Sequence, residues 1–283
     1  LWNSKYALDF DTFYESYREK YKIIKHQRDV AKLDDITSIE KYKLEPNSMQ
    51  VGFIKNLRKI QEAGERKALL ISATGTGKTY ASAFAMRELG FQRVLFLVHR
   101  NQIAKQAQKS FRKVFSGQVS MGLVTGKYQE YDKDFIFATI QTLSKEENLH
   151  RYEKNSFDAI VIDEAHHSAA NSYKKVLGYF EPKLWLGMTA TPDKRDDNLE
   201  GRNIYETFNH QIAYEIRLQD AMEEELLCPF HYFGITDLSI IGDAENACRD
   251  FSMLTSDERV KHIIGQADYY GYSGEKVKGL IFC

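Results

Sequence analysis

The 283-residue chain is short of several things, and each shortage removes a class of protein. It has three cysteines, Cys228, Cys248 and Cys283, far apart and with no C-x-x-C among them. That is the pattern of isolated thiols in a reducing compartment, and a cytoplasmic protein is expected. No apolar run approaches the ~18 residues that span a bilayer, and the opening residues carry no signal-peptide pattern. Net charge is nearly absent, with 39 basic against 40 acidic residues. The overall balance therefore points neither toward nor away from nucleic acid, although local patches can still bind phosphates. Repeats and low-complexity tracts are missing too, which excludes solenoids and tandem arrays.

What is present fits a folded protein: 43% apolar and 28% charged residues, in a chain long enough for one large or two modest cores. Residues 1–45 are rich in Tyr, Lys and Glu, and Phe10, Phe13, Tyr14, Tyr17 and Tyr21 recur at helical spacing. A packing helix is the preferred reading there, with an aromatic platform for bases as the alternative. From Pro46 the rhythm becomes α/β. A helix over 49–62 precedes a strand over 68–71, a glycine-rich loop and a helix to Leu89. Strands follow over 94–98, 119–124, 135–138, 159–162 and 184–188, with a helix over 102–114 between the first two. Strands that are apolar throughout and alternate with helices predict a mostly parallel sheet covered on both faces. Residues 193–203 are polar and read as an exposed loop. A strand over 211–214, helices over 218–227 and 256–270, an apolar run over 230–235 and a strand over 279–283 complete the chain. A start at Leu1 and a strand at the last residues suggest a piece of something longer.

The loop Thr74-Gly75-Thr76-Gly77-Lys78-Thr79 sits between strand and helix. Such a loop turns backbone N–H groups and the positive end of a helix toward phosphate oxygens. Gly75 and Gly77 allow the turn, Lys78 reaches the β and γ phosphates, and Thr79 can ligate Mg²⁺. The full pattern G-x-x-x-x-G-K-[ST] asks for glycine at position 72, where this chain has Ser72. Asp163 and Glu164 end a second apolar strand, the place where open α/β sheets put ligands. Asp163 there would hold Mg²⁺, directly or through water, and Glu164 would orient and deprotonate an attacking water. A helix-capping acid pair is the plain alternative.

Asp163-Glu164-Ala165-His166 after the A-T-G-T-G-K-T loop, followed by Thr189-Ala190-Thr191, resembles the motor core of superfamily 2 helicases of the DEAD/DEAH-box type. The branch most similar holds the motor subunits of type I and type III restriction enzymes. The resemblance runs from about Leu44 to Cys283. It implies a RecA-like P-loop NTPase domain with a helical N-terminal extension: a connector over 1–45, the ATP-binding domain over 46–235, and over 236–283 a linker with the first strand of a second RecA-like domain. It implies ATP and Mg²⁺ as cofactors and nucleic acid, chiefly DNA, as partner.

Residue by residue, Gln50 resembles the glutamine that reads adenine, a surface glutamine being the alternative. Arg100, after Phe96-Leu97-Val98-His99, resembles a strand-backbone contact, although an exposed arginine at a helix start has an equal claim to plain solvation. Thr125-Gly126 and Thr139-Ile140-Gln141-Thr142 resemble loops that touch the phosphates of the tracking strand. His166 would couple the nucleotide site to Thr189, Ala190 and Thr191. His167 has no assigned role, and two adjacent histidines do not make a zinc site. The segment over 205–232 resembles a bacterial subgroup whose members carry a phospholipase-D-like nuclease domain; no H-x-K-x₄-D occurs in this chain. The arginine finger and the other second-domain motifs of the family have no counterpart here, so weak MgATP binding and slow hydrolysis are expected of the chain alone. The leading function is the ATP-binding half of a helicase or translocase. A nucleotide-switched binding module of a larger restriction, repair or defence complex is the second reading, and a metabolic P-loop kinase the third.

Overall fold

Runs of five or six residues with every side chain buried build the centre of the fold. They are β2 (Val94–Val98), β3 (Met121–Thr125), β5 (Phe135–Thr139) and β7 (Leu184–Thr189), with β1 (Lys67–Ser72) and β6 (Ala159–Asp163) nearly so. A strand buried on both faces has no polar alternation, and it belongs in a parallel sheet with helices on each side. In the computed structural model, residues 44–167, 170–192, 203–230 and 257–270 are described, with Glu19 and Gly234. The aromatic N-terminal segment, residues 193–202, most of the run over 230–235 and the final strand lie outside them. The chain divides into two units, Leu1–Pro229 and Phe230–Cys283. In the second, the described part is a helix, Asp257–Tyr270, that buries none of its residues.

In the first unit an eight-stranded sheet runs in the order β4-β3-β5-β2-β6-β7-β1-β8, with β4 (Tyr128–Gln129) and β8 (Ile212–Ile216) at its edges. Every pairing is parallel except β3 with β4. Side chains alternate between two cores, as the pleat requires. Ala68, Leu70, Phe96 and Val98 face one core, and Leu69, Ile71, Leu95 and Leu97 face the other.

Helices α1 (Ser48–Glu62), α2 (Lys78–Glu88) and α3 (Asn101–Phe115) cover the first core. Within α2 the stretch Ala81–Met86 is wholly buried, and its small residues let α1 and α3 close over it. Phe111 of α3 meets Phe96, Phe135 and Phe137 edge-on, at centroid distances of 5.5, 6.2 and 5.1 Å. That geometry adds about 0.5–1.5 kcal/mol per pair beyond burial. Short helices α4 (Ile140–Leu143), α5 (Glu146–Leu149), α6 (Asn171–Tyr179) and α7 (Ile204–Thr207) cover the second core. A six-residue helix, α8 (Leu218–Glu223), follows β8.

The parallel register sets the C-terminal ends of the strands side by side. Ile71 lies opposite Thr189, Asp163 opposite Met188, Leu97 opposite Ile162 and Val98 opposite Thr139. The loops that leave these ends carry the residues singled out in the sequence.

Candidate nucleotide site and the loops beside it

The phosphate loop leaves β1 and enters α2 through two glycines in the left-handed region, Gly75 and Gly77, each with φ +92°. Only glycine takes that conformation freely, so the sharp turn depends on both. Gly77 begins α2 with no side-chain cap, leaving the first-turn N–H groups to face outward. Thr74 and Gly75 are exposed, whereas Thr76 is buried. The Thr76 hydroxyl donates to Ala73 O at 2.8 Å and is also in close hydrogen-bond contact with Ser72 Oγ. Ser72 thus replaces the motif's glycine with a hydroxyl that braces the loop from inside.

Lys78 Nζ donates to Ser72 O at 3.0 Å and Ala73 O at 3.3 Å. Burial pushes the ammonium below its ordinary range, and the nearby Glu164 and Asp163 carboxylates oppose that. Asp163 goes the other way. Burial, then repulsion from Glu164, pushes it up to about 6, against the pull of Lys78 and of the Glu164 N–H that donates to its Oδ1 at 3.1 Å. Glu164 has φ +53°, a left-handed backbone at a non-glycine residue. Such strain persists where the surroundings hold it, and it is concentrated at functional sites.

His166 lies 3.4 Å from the Glu164 carboxylate through Nδ1, which is also hydrogen-bonded to Thr189 Oγ1 at 3.0 Å. Thr189 is fully buried at the end of β7, and its hydroxyl accepts from Thr191 N at 3.2 Å. Glu164, His166, Thr189 and Thr191 therefore form one connected path, with Ala190 between its last two members.

Gln50 is buried, 5% exposed, so it is not a surface glutamine. Its Oε1 accepts from Asn47 N at 3.0 Å while Asn47 Oδ1 accepts from Gln50 N at 2.9 Å, a reciprocal cap on α1. Its Nε2 donates to Gly77 O at 3.3 Å. The amide thus ties α1 to the phosphate loop, with one N–H and one oxygen lone pair left over.

The other loops line the same end of the sheet. Arg100 is exposed at the start of α3, and Gly126 and Gln141 are exposed. Thr125 and Thr139 are buried, and their hydroxyls make local bonds. Thr125 Oγ1 accepts from Lys127 N at 3.4 Å, and Thr139 Oγ1 donates to Thr142 Oγ1 at 2.9 Å. Gln141 Nε2 donates to His99 Nδ1 at 3.0 Å. Sequence reasoning gave no role to His99 or to Tyr173, a fully buried tyrosine on α6 that stands against it. His99 adjoins a quoted motif, but nothing in the spacing connects Tyr173 to it.

Residues 43–194 match the family described as "Type III restriction enzyme, res subunit". The candidate ATP-dependent helicase IRC3 of Saccharomyces cerevisiae is 30% identical over 207 residues, 67% of this chain and 29% of that protein. The Type I restriction enzyme EcoAI endonuclease subunit of Escherichia coli is 26% identical over 269 residues, 84% of this chain and 32% of that protein. The chain thus spans about a third of the length of each. Among solved structures, the ATP-dependent Type ISP restriction-modification enzyme LlaBIII bound to DNA is similar at a TM-score of 0.50 and 18% identity, over 64% of this chain and 16% of that one. That likeness concerns the fold, an α/β sheet of the RecA-like kind.

Proposed function

This chain belongs to the family of the type III restriction enzyme res subunit, and from that premise we propose that it is the ATP-binding half of a translocase acting on DNA. The observation that carries the reading is the path from the strained Glu164 through His166 and Thr189 to Thr191 N, beginning beside Lys78. A plain nucleotide-binding fold needs the lysine and the acidic pair. It does not need a buried threonine wired to the second acid through a histidine.

The residues fit a magnesium nucleotide. Among the described residues no three His, Cys, Asp or Glu side chains cluster as a metal cage. A cation here would be shared between Thr79, Asp163 and phosphate oxygens, the habit of Mg²⁺. Bound there, Mg²⁺ would neutralise charge on the transferring phosphoryl group. Lys78 supplies a partly desolvated positive charge, and α2 supplies first-turn N–H groups. Glu164 is held by its backbone where a water could be oriented, and His166 passes the state of that carboxylate to β7. Arg100, Gly126 and Gln141 would grip the sugar–phosphate backbone, giving salt-dependent binding with little sequence preference.

The test is ATP turnover by the intact protein with no polymer, with single- and double-stranded DNA, and with RNA. Turnover is expected to rise several-fold with DNA and to vanish in Lys78→Ala. Turnover that every polymer leaves unchanged, yet Lys78→Ala abolishes, would replace translocation with a nucleotide-switched binding module.

A further inference from the structure

Tyr173 is fully buried, and its hydroxyl is the one buried side-chain polar atom among the described residues that lacks a hydrogen-bond partner. Buried phenols normally find a partner, and phenylalanine would fill the space without stranding an oxygen. The ring stands edge-on to the His99 imidazole, with centroids 5.9 Å apart and planes at 86°.

His99 follows the last residue of β2, and β2 lies between β5 and β6. The register sets Leu97 against Ile162 and Val98 against Thr139. His99 therefore stands between the Asp163–Glu164 end of β6 and the start of α4, where its Nδ1 accepts from Gln141. Helix α6, which carries Tyr173, packs on α4. Burial, and then the charges of Asp163 and Glu164, push the phenol up, so it stays protonated and able to donate.

We propose that Tyr173 and His99 are positioning residues of a second relay, in which the Tyr173 hydroxyl bonds to the Asp163–Glu164 pair in one nucleotide state and not the other. The ring's displacement is carried through His99 to Gln141 and the strand-facing loop. The acidic pair then has two exits: His166 toward β7, and Tyr173 with His99 toward β2 and β5. This rests on the translocase reading above.

The test is the affinity of the intact protein for a fluorescein-labelled DNA duplex and for its separated strands, with and without a non-hydrolysable ATP analogue and Mg²⁺. The ratio of the two affinities is the coupling, expected to be at least about fivefold in the wild type. Tyr173→Phe and His99→Ala are each expected to lower it by at least about twofold, with no further loss in the double variant and the remainder carried by the His166 path. Tyr173→Phe should melt at or above the wild-type temperature, because it deletes an oxygen that bonds to nothing. A Tyr173→Phe protein with the wild-type ratio overturns the relay. So does one that melts well below the wild type, since the hydroxyl would then have a structural partner. A wild-type ratio of one removes the translocase reading, and the relay with it.

Discussion

The two faces of the sheet are covered in different ways. One carries α1, α2 and α3, of 15, 11 and 15 residues. The other carries α4, α5, α6 and α7, of 4, 4, 9 and 4 residues. Both cores are apolar and both are buried. The long helices repeat their contacts over several turns and interlock through Phe111 with two strands, β2 and β5. The short helices hold a few side chains each and are joined by loops. Local opening follows few packed contacts and many helix ends, so the second face is the one able to rearrange. It is also the face that carries Tyr173 and Gln141, whereas the phosphate loop opens into the first face through α2. On the proposed function, nucleotide grip and strand grip would thus rest on supports of unequal stiffness.

The sharpest way to break that comparison is to remove one large ring from each face. Phe111→Ala and Phe157→Ala delete rings that are 0% and 2% exposed. Phenylalanine-to-alanine changes lose about 3–5 kcal/mol, more where the cavity cannot collapse. Phe111→Ala should fall near the upper end and Phe157→Ala near the lower, measured by denaturant unfolding. Equal losses would mean that the two faces are equally stiff.

A smaller effect tests a tie between the segments that enter β2, β6 and β7, at the opposite end of the strands. Asp158 Oδ2 accepts from Gln92 N and Arg93 N, each at 3.0 Å, and Oδ1 accepts from Lys183 Nζ at 2.7 Å. Burial alone would push this carboxyl up. The Lys183 ammonium and the two N–H groups outweigh it and hold the carboxyl below the ordinary range. A carboxyl held low in the folded state stabilises fully above its unfolded pKa, and that contribution is lost as pH falls through the folded value. Asp158→Asn should cost about 1–2 kcal/mol near neutral pH, and the gap from the wild type should close in acid. A gap that widens on acidification would refute the assignment.

The smallest effect sharpens the stiff side. Asn47→Ala removes the reciprocal cap of α1 and is expected to lose about 1 kcal/mol. Because Gln50 joins that cap to Gly77, nucleotide affinity should weaken with it, read by titration calorimetry. Stability lost with affinity unchanged would separate α1 from the phosphate loop.

Much of the stiff side could be read in the amino-acid sequence. Strands buried on both faces are apolar at every position, and α1 and α3 show their period, so the strand ahead of the Lys78 loop and the strand that ends at Asp163 stood out. The second face was less readable. Helices α4, α5 and α7 are a single turn each, too short for a period, and α6 buries only Tyr173 and Val176 while holding a glycine at position 178. The two-residue strand β4 has no pattern at all. Within the site, chemical type was visible but direction was not. Ser72 looked like a missing glycine and is a brace. Thr125 and Thr139 looked like outward hydroxyls and turn into their own loops. Gln50 stood out for its amide, and the spacing did not show that this amide also ties α1 to the phosphate loop. Which way a short polar side chain points depends on neighbours distant in the chain, and spacing carries no record of them.

Lys78 already holds two carbonyl oxygens, those of Ser72 and Ala73, and has already shed part of its water. An arriving anion must outbid those neutral dipoles, not bulk solvent. A single negative charge gains little in that exchange, while a chain of phosphates gains much more. On the proposed reading, the loop would sort its ligands by valence before any contact with base or sugar is made.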